Sequence, residues 1–118
     1  NNVTKNSTDS VALQRRKEVK ALLRRQIPVA QRVVGDNDEL TLKMSWIYAH
    51  SLYRDEGAPL DDLREAVTTL DDSARIARRV LGGQHPLTMG IEHNLQDARA
   101  ALRARETPPP SPPPSGSV

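Results

Sequence analysis

Cysteine is absent from the 118 residues, and so is phenylalanine; one Trp and two Tyr hold the aromatic share to 3%. Without cysteine the chain contains no disulfide framework and no thiolate metal site. An apolar content of 36% with so few aromatics is lean for a thick globular core, and suits thin helices that share apolar faces with their neighbours. No apolar run approaches the ~20 residues of a bilayer-spanning helix. Residues 1–10 are polar and lack the apolar stretch of a secretory signal. The first residue is Asn rather than Met, which leads to the expectation of a processed product or a fragment. Asn2-Val3-Thr4 and Asn6-Ser7-Thr8 fit the glycosylation pattern, and with neither cysteine nor a signal they are read as coincidental. The same features lead us to expect a cytoplasmic, intracellular setting.

No stretch alternates with period two, so no strand is expected. What the chain has is Ala, Leu, Arg, Asp and Glu, which mostly tolerate or favour helix. The net charge of +2 conceals an uneven distribution. Residues 1–34 carry eight Lys or Arg against Asp9 and Glu18, whereas residues 35–81 carry six basic and ten acidic residues.

Residues 1–9 are polar and aperiodic and are expected to be a disordered segment. Residues 107–118, TPPPSPPPSGSV, form a proline-rich tail expected to be extended and disordered. Its Pro110-Ser111-Pro112-Pro113 has the spacing that adaptor domains grip; a plain spacer is the other reading. Between these ends, residues 10–106 hold four helical patterns. The first spans Ser10 to Val34, with Val19, Leu22, Leu23, Ile27, Ala30, Val33 and Val34 at helical spacing. Pro28 inside it predicts a kink near Ile27 or a second helix beginning at Pro28. The second spans Thr41 to about Asp55, with Thr41 as its N-cap and Gly57 as a left-handed terminator. The third is the most regular: Leu60, Leu63, Val67, Leu70, Ala74, Ala77 and Leu81 are spaced 3, 4, 3, 4, 3, 4, a seam that faces another helix. Pro59 suits its first position, and Gly82-Gly83 stops it. The fourth spans Pro86 to Glu106, with Ile91, Leu95, Ala98 and Leu102 on one side.

The stretch VVGDNDELTL (Val33–Leu42) returns 47 residues later as VLGGQHPLTM (Val80–Met89). Gly82 answers Gly35, Leu87 answers Leu40 and Thr88 answers Thr41. Each copy ends one helix at Gly, crosses a short polar loop and opens the next helix near Thr. Each is therefore a joint between helical hairpins, units that bury their apolar faces only by stacking.

The second copy, in VLGGQHPLTMGIEHNL, resembles the joint of tetratricopeptide repeats of the kinesin light chain type. That pattern is Leu-Gly-x-x-His-Pro-x-Thr with Asn-Leu-Ala following, and Leu81, Gly82, His85, Pro86, Thr88, Asn94 and Leu95 match it. The first copy keeps Gly35, Thr41 and Ala49 but has Asp38-Glu39 in place of His-Pro. Gln96 stands where that family has a small residue, and the spacing exceeds the usual repeat of about 34 residues. The resemblance spans residues 28–105. It implies an all-α fold of antiparallel helix-turn-helix hairpins stacked as a short superhelical array. It assigns Gly35, Thr41, Gly82, His85, Pro86 and Thr88 to the joints. It also implies a concave face that grips a peptide or partner protein, lined by Lys43, Trp46, His50, Tyr53 and Arg54 from one repeat and by Gly90, His93, Asn94 and Asp97 from the next. Trp46 is either a groove residue or core.

No catalytic constellation is present. A nucleophile needs an adjacent base and a metal needs clustered ligands, yet His50, His85 and His93 are scattered over two helices and a loop. Asp61-Asp62 and Asp71-Asp72 serve the helix dipole or nearby Arg residues. The expectation is a scaffold or adaptor without enzymatic activity, cofactor or metal, with self-association possible. The alternative is binding of nucleic acid or an anionic surface by the basic run from Arg15 to Arg25, unless that run pairs with the acidic helix region 55–72.

Overall fold

The computed structural model describes residues 2–54 and 57–106, with side chains described from Ser10 onward. Four helices follow one another: α1 (Asn2–Val33), α2 (Glu39–Tyr53), α3 (Leu60–Val80) and α4 (Pro86–Glu106). No strand occurs among the described residues. The all-α class is as expected, and α3 and α4 begin and end within a residue of their sequence limits. The proline-rich tail lies outside the described residues.

Several boundaries differ. The first helix begins at Asn2, not near Ser10, so helix covers the stretch expected to be disordered. Pro28 stands inside α1 without ending it, and no new helix starts there; the missing N–H costs the hydrogen bond that residue 28 would make to the Arg24 carbonyl. Thr41 does not cap α2. The cap is Asp38, whose carboxylate accepts from the Leu40 amide at 2.8 Å, so the helix opens two residues earlier. Pro59 is the cap of α3 rather than its first residue. Gly35 and Gly82 are left-handed, with φ of 96° and 91°, and α2 ends at Tyr53, with residues 55–56, which precede Gly57, outside the described residues.

The helices pack in chain order, each against its neighbours, and α2 also touches α4. The core joins Leu42, Tyr48, Ala49 and Leu52 of α2, Ala66, Leu70, Ala74 and Ala77 of α3, and Leu87, Ile91, Leu95 and Ala98 of α4. Leu23 and Ile27 of α1 pack on its edge. Helix α3 is held between α2 and α4, which explains why it buries Ala66 and Ser73 in addition to the predicted seam. Small side chains on the added stripe let the helices approach closely, and burial of Leu70 or Ile91 contributes about 1.5–3 kcal/mol each.

Polar contacts tie the ends. The Arg105 guanidinium donates through both Nη1 and Nη2 to the Ala58 carbonyl at 2.7 Å, holding the end of α4 against the α2–α3 connection. Arg78 meets Glu92 across α3 and α4 at 2.9 Å. Arg79 donates to Asn37 at 3.1 Å, which links the end of α3 to the first joint.

Candidate partner-binding site

The two joints are built alike, position for position. In the first, the amides of Val34 and Gly35 donate to the Ala30 carbonyl, and the Asp38 amide to the Gly35 carbonyl. In the second, Leu81 and Gly82 donate to the Ala77 carbonyl, and His85 to the Gly82 carbonyl. Each left-handed Gly lets the chain reverse while satisfying a terminal carbonyl of the preceding helix. His85 performs the task of Asp38: its Nδ1 accepts from the Leu87 amide at 3.1 Å. Aspartate and histidine thus substitute for one another because each supplies one acceptor at the helix start. Asp38-Glu39 departs from the His-Pro of the second joint in sequence but not in the role of its first residue. The strong preference of Asp for N-cap positions was the signal that would have identified the cap.

The Thr residues differ. Thr41 Oγ1 donates to the Gly35 carbonyl at 2.8 Å, stitching the loop to α2. Thr88 Oγ1 is fully buried and has no partner among the described residues.

The residues assigned to a concave face divide into two groups. Trp46, Tyr53, His93, Asn94 and Asp97 come together where α2 lies beside α4. The Trp46 indole N–H donates to Asn94 Oδ1 at 2.9 Å, and its ring lies over the backbone of Gly90, where a Cβ would stand 2.8 Å from Cζ2. Trp46 is therefore both things that the sequence allowed, since it packs against the core edge and stays half-exposed. His93 approaches Asp97 at 3.6 Å. Burial, together with the negative charge of Asp97, pushes the Tyr53 hydroxyl up to about 12. Lys43 is exposed on α2.

His50 and Arg54 belong to a second place. They line a groove between α1 and α2 with Arg15, Arg16, Val19 and Ile47. The His50 ring meets Tyr53 edge-on at 5.5 Å and so borders both groups.

On the opposite side, α1 and α3 flank a cavity of about 270 Å³ floored by Thr41, Leu42, Ser45 and Tyr48. One network crosses it. Arg24 Nε donates to Tyr48 Oη at 2.9 Å, Tyr48 Oη donates to the Glu65 carboxylate, and Arg24 pairs with Glu65 at 3.2 Å. Burial, reinforced by the bond to Glu65, pushes the Tyr48 hydroxyl up to about 12. Lys20 meets Asp62 at 3.0 Å. Part of the basic run of α1 is thus matched by the acidic side of α3, while Arg15, Lys17 and Arg25 are exposed. Periodicity alone could not reveal this pairing, because it joins residues 41 and 42 positions apart.

Among the described residues no three His, Asp or Glu side chains converge as a metal site requires, and no helix is long and apolar enough to cross a membrane. Comparison with protein-family models, curated proteins and solved structures finds no match to this chain.

Proposed function

We propose that the chain is a non-catalytic protein–protein interaction module. In this reading it is a short array of tetratricopeptide-like hairpins of the kinesin light chain type, and it works as a scaffold or adaptor inside the cell. Its working surface is the side where α2 and α4 lie next to each other, presenting Lys43, Trp46, Tyr53, His93, Asn94 and Asp97. The observation that carries the proposal is the hydrogen-bond pattern repeated 47 residues apart, from Ala30 and Gly35 to Ala77 and Gly82. It supports treating α2 and α4 as equivalent first helices of successive hairpins. The contact between α2 and α4, with α3 held between them, accords with such stacking. A half-exposed indole beside amide, carboxylate and imidazole groups offers area and hydrogen bonds to a peptide at small entropic cost.

The test is affinity capture from nuclease-treated lysate at two salt concentrations, comparing the natural chain with a Lys43→Glu/His93→Glu variant. Both positions are exposed, so the fold is kept. A discrete protein set that survives salt and is lost in the variant is the expected result. Capture that vanishes with nuclease or modest salt, ignores this variant and is abolished by Arg15→Glu/Lys17→Glu would instead make basic α1 the binding element.

A further inference from the structure

The groove between α1 and α2 has a counterpart elsewhere in the same molecule, and the counterpart is filled. Its volume is about 240 Å³, with Val19 and Ile47 as its apolar surface and Arg15, Arg16, His50 and Arg54 around them. Val19 and Ile47 are 45% and 53% exposed. Shifted by the 47-residue repeat, Val19 becomes Ala66, Ile47 becomes Asn94 and Lys43 becomes Gly90. Ala66 is fully buried. Asn94 accepts from Trp46, and Gly90 lies beneath the Trp46 ring. In the second half of the molecule, therefore, a helix lies across these positions, and that helix is α2. In the first half the same positions are open; two of the three, Val19 and Ile47, are apolar, and exposed Lys43 stands at the third.

We infer that this groove docks an amphipathic helix of a separate protein chain, seated as α2 is seated on α3 and α4, with a large apolar side chain over Val19 and Ile47 and carboxylates along its flanks. The helical form follows from the repeat symmetry. The acidic character follows from charge. Arg15 and Arg54 stand around the groove, and while Lys20 and Arg24 are matched by Asp62 and Glu65, exposed Lys17 and Arg25 add further positive charge to α1. A second copy of this chain supplies no suitable helix. Its α1 is equally basic, its α2 and α3 are packed between neighbours, and its α4 carries Arg99, Arg103 and Arg105 toward its end. The inference goes beyond the proposed α2–α4 surface and stands on the repeat geometry.

Fluorescence anisotropy provides the test. The probe is a labelled peptide of about 20 residues, long enough for a stable amphipathic helix, with Leu and Trp at spacings of three and four and Glu elsewhere. Controls are its scrambled form and a labelled single-stranded oligonucleotide of equal charge, all at about 150 mM salt to suppress long-range attraction. Saturable binding is expected, about tenfold or more weaker for the scrambled peptide, for Ile47→Asp and for Arg15→Glu/Arg54→Glu, and unchanged for His93→Ala. Ile47 is half-exposed, so the aspartate variant keeps its helix content, which circular dichroism checks. No saturation up to about 1 mM peptide, the weakest affinity worth calling specific, overturns the inference. So does equal binding of the scrambled peptide or the oligonucleotide. Loss of binding in His93→Ala with none in Ile47→Asp also overturns it, and would leave the α2–α4 reading standing.

Discussion

Replacing Gly90 by alanine sets two effects of similar size against each other. Alanine favours a helix interior over glycine by about 1 kcal/mol, and Gly90 lies within α4. An added Cβ, however, would stand 2.8 Å from Trp46 Cζ2 and 2.9 Å from Cη2, closer than carbon atoms tolerate. The indole is rigid, so relief requires the whole ring to swing away. That motion breaks the 2.9 Å bond to Asn94, a loss of about 1 kcal/mol. It also returns half a ring face to water, about 1–2.5 kcal/mol at 25 cal/mol per Å² for ~50–100 Å². The balance is a net destabilisation of about 1–2.5 kcal/mol. The check is urea denaturation followed by circular dichroism and by the fluorescence of Trp46, the chain's single Trp, which should shift to longer wavelength. In a Trp46→Ala background the same substitution should stabilise by about 1 kcal/mol, giving a coupling of about 2–3.5 kcal/mol between the sites. A Gly90→Ala protein as stable as its parent, with unaltered Trp46 emission, would refute the packing described for this face.

Three further outcomes are expected. Thr41→Val removes the bond to the Gly35 carbonyl and should cost about 1 kcal/mol, whereas Thr88→Val removes a buried hydroxyl without a partner among the described residues and should be neutral or stabilising; equal effects in thermal denaturation would contradict this asymmetry. His85→Ala deletes the acceptor at the start of α4 and should cost about 0.5–2 kcal/mol, while His85→Asp, which copies the cap of α2, should keep or raise stability; an aspartate variant as unstable as the alanine one would deny the equivalence of the joints. Both tyrosines are pushed up to about 12 from an unfolded value near 10. Raised values mean that folding favours the protonated forms, so their contribution is complete below about pH 10 and is lost as pH rises from about 10 toward 12. Ultraviolet titration of the native chain should find no phenolate step near pH 10, and such a step with native circular dichroism would contradict the burial.

The helices were legible because their determinants are local. The 3-and-4 spacing from Leu60 to Leu81 and the fourth pattern from Pro86 led to elements that the fold contains almost unchanged. The repeated Gly at 35 and 82 was legible for the same reason, since a left-handed residue after a helix favours glycine by its own sterics. Where propensity competed with context, local reading failed. Thr41 resembles a cap, yet Asp38 takes that place and Thr41 turns its hydroxyl back to the loop. Of the two outcomes that Pro28 allows, a kink near Ile27 or a second helix starting there, the second does not occur, and α1 continues through it.

Sequence alone determined that this chain is helical, hinged twice at equivalent joints, and carries a basic excess in residues 1–34 and an acidic one in residues 35–81. Those features arise from backbone preferences and from residue spacings within a few turns. Only the tertiary structure decided which residues meet: Trp46 over Gly90 and Asn94, Arg24 with Tyr48 and Glu65, and an open groove at Val19 and Ile47 whose counterpart is covered. Such contacts join residues separated by tens of positions, and no local periodicity encodes the direction in which one helix lies across another.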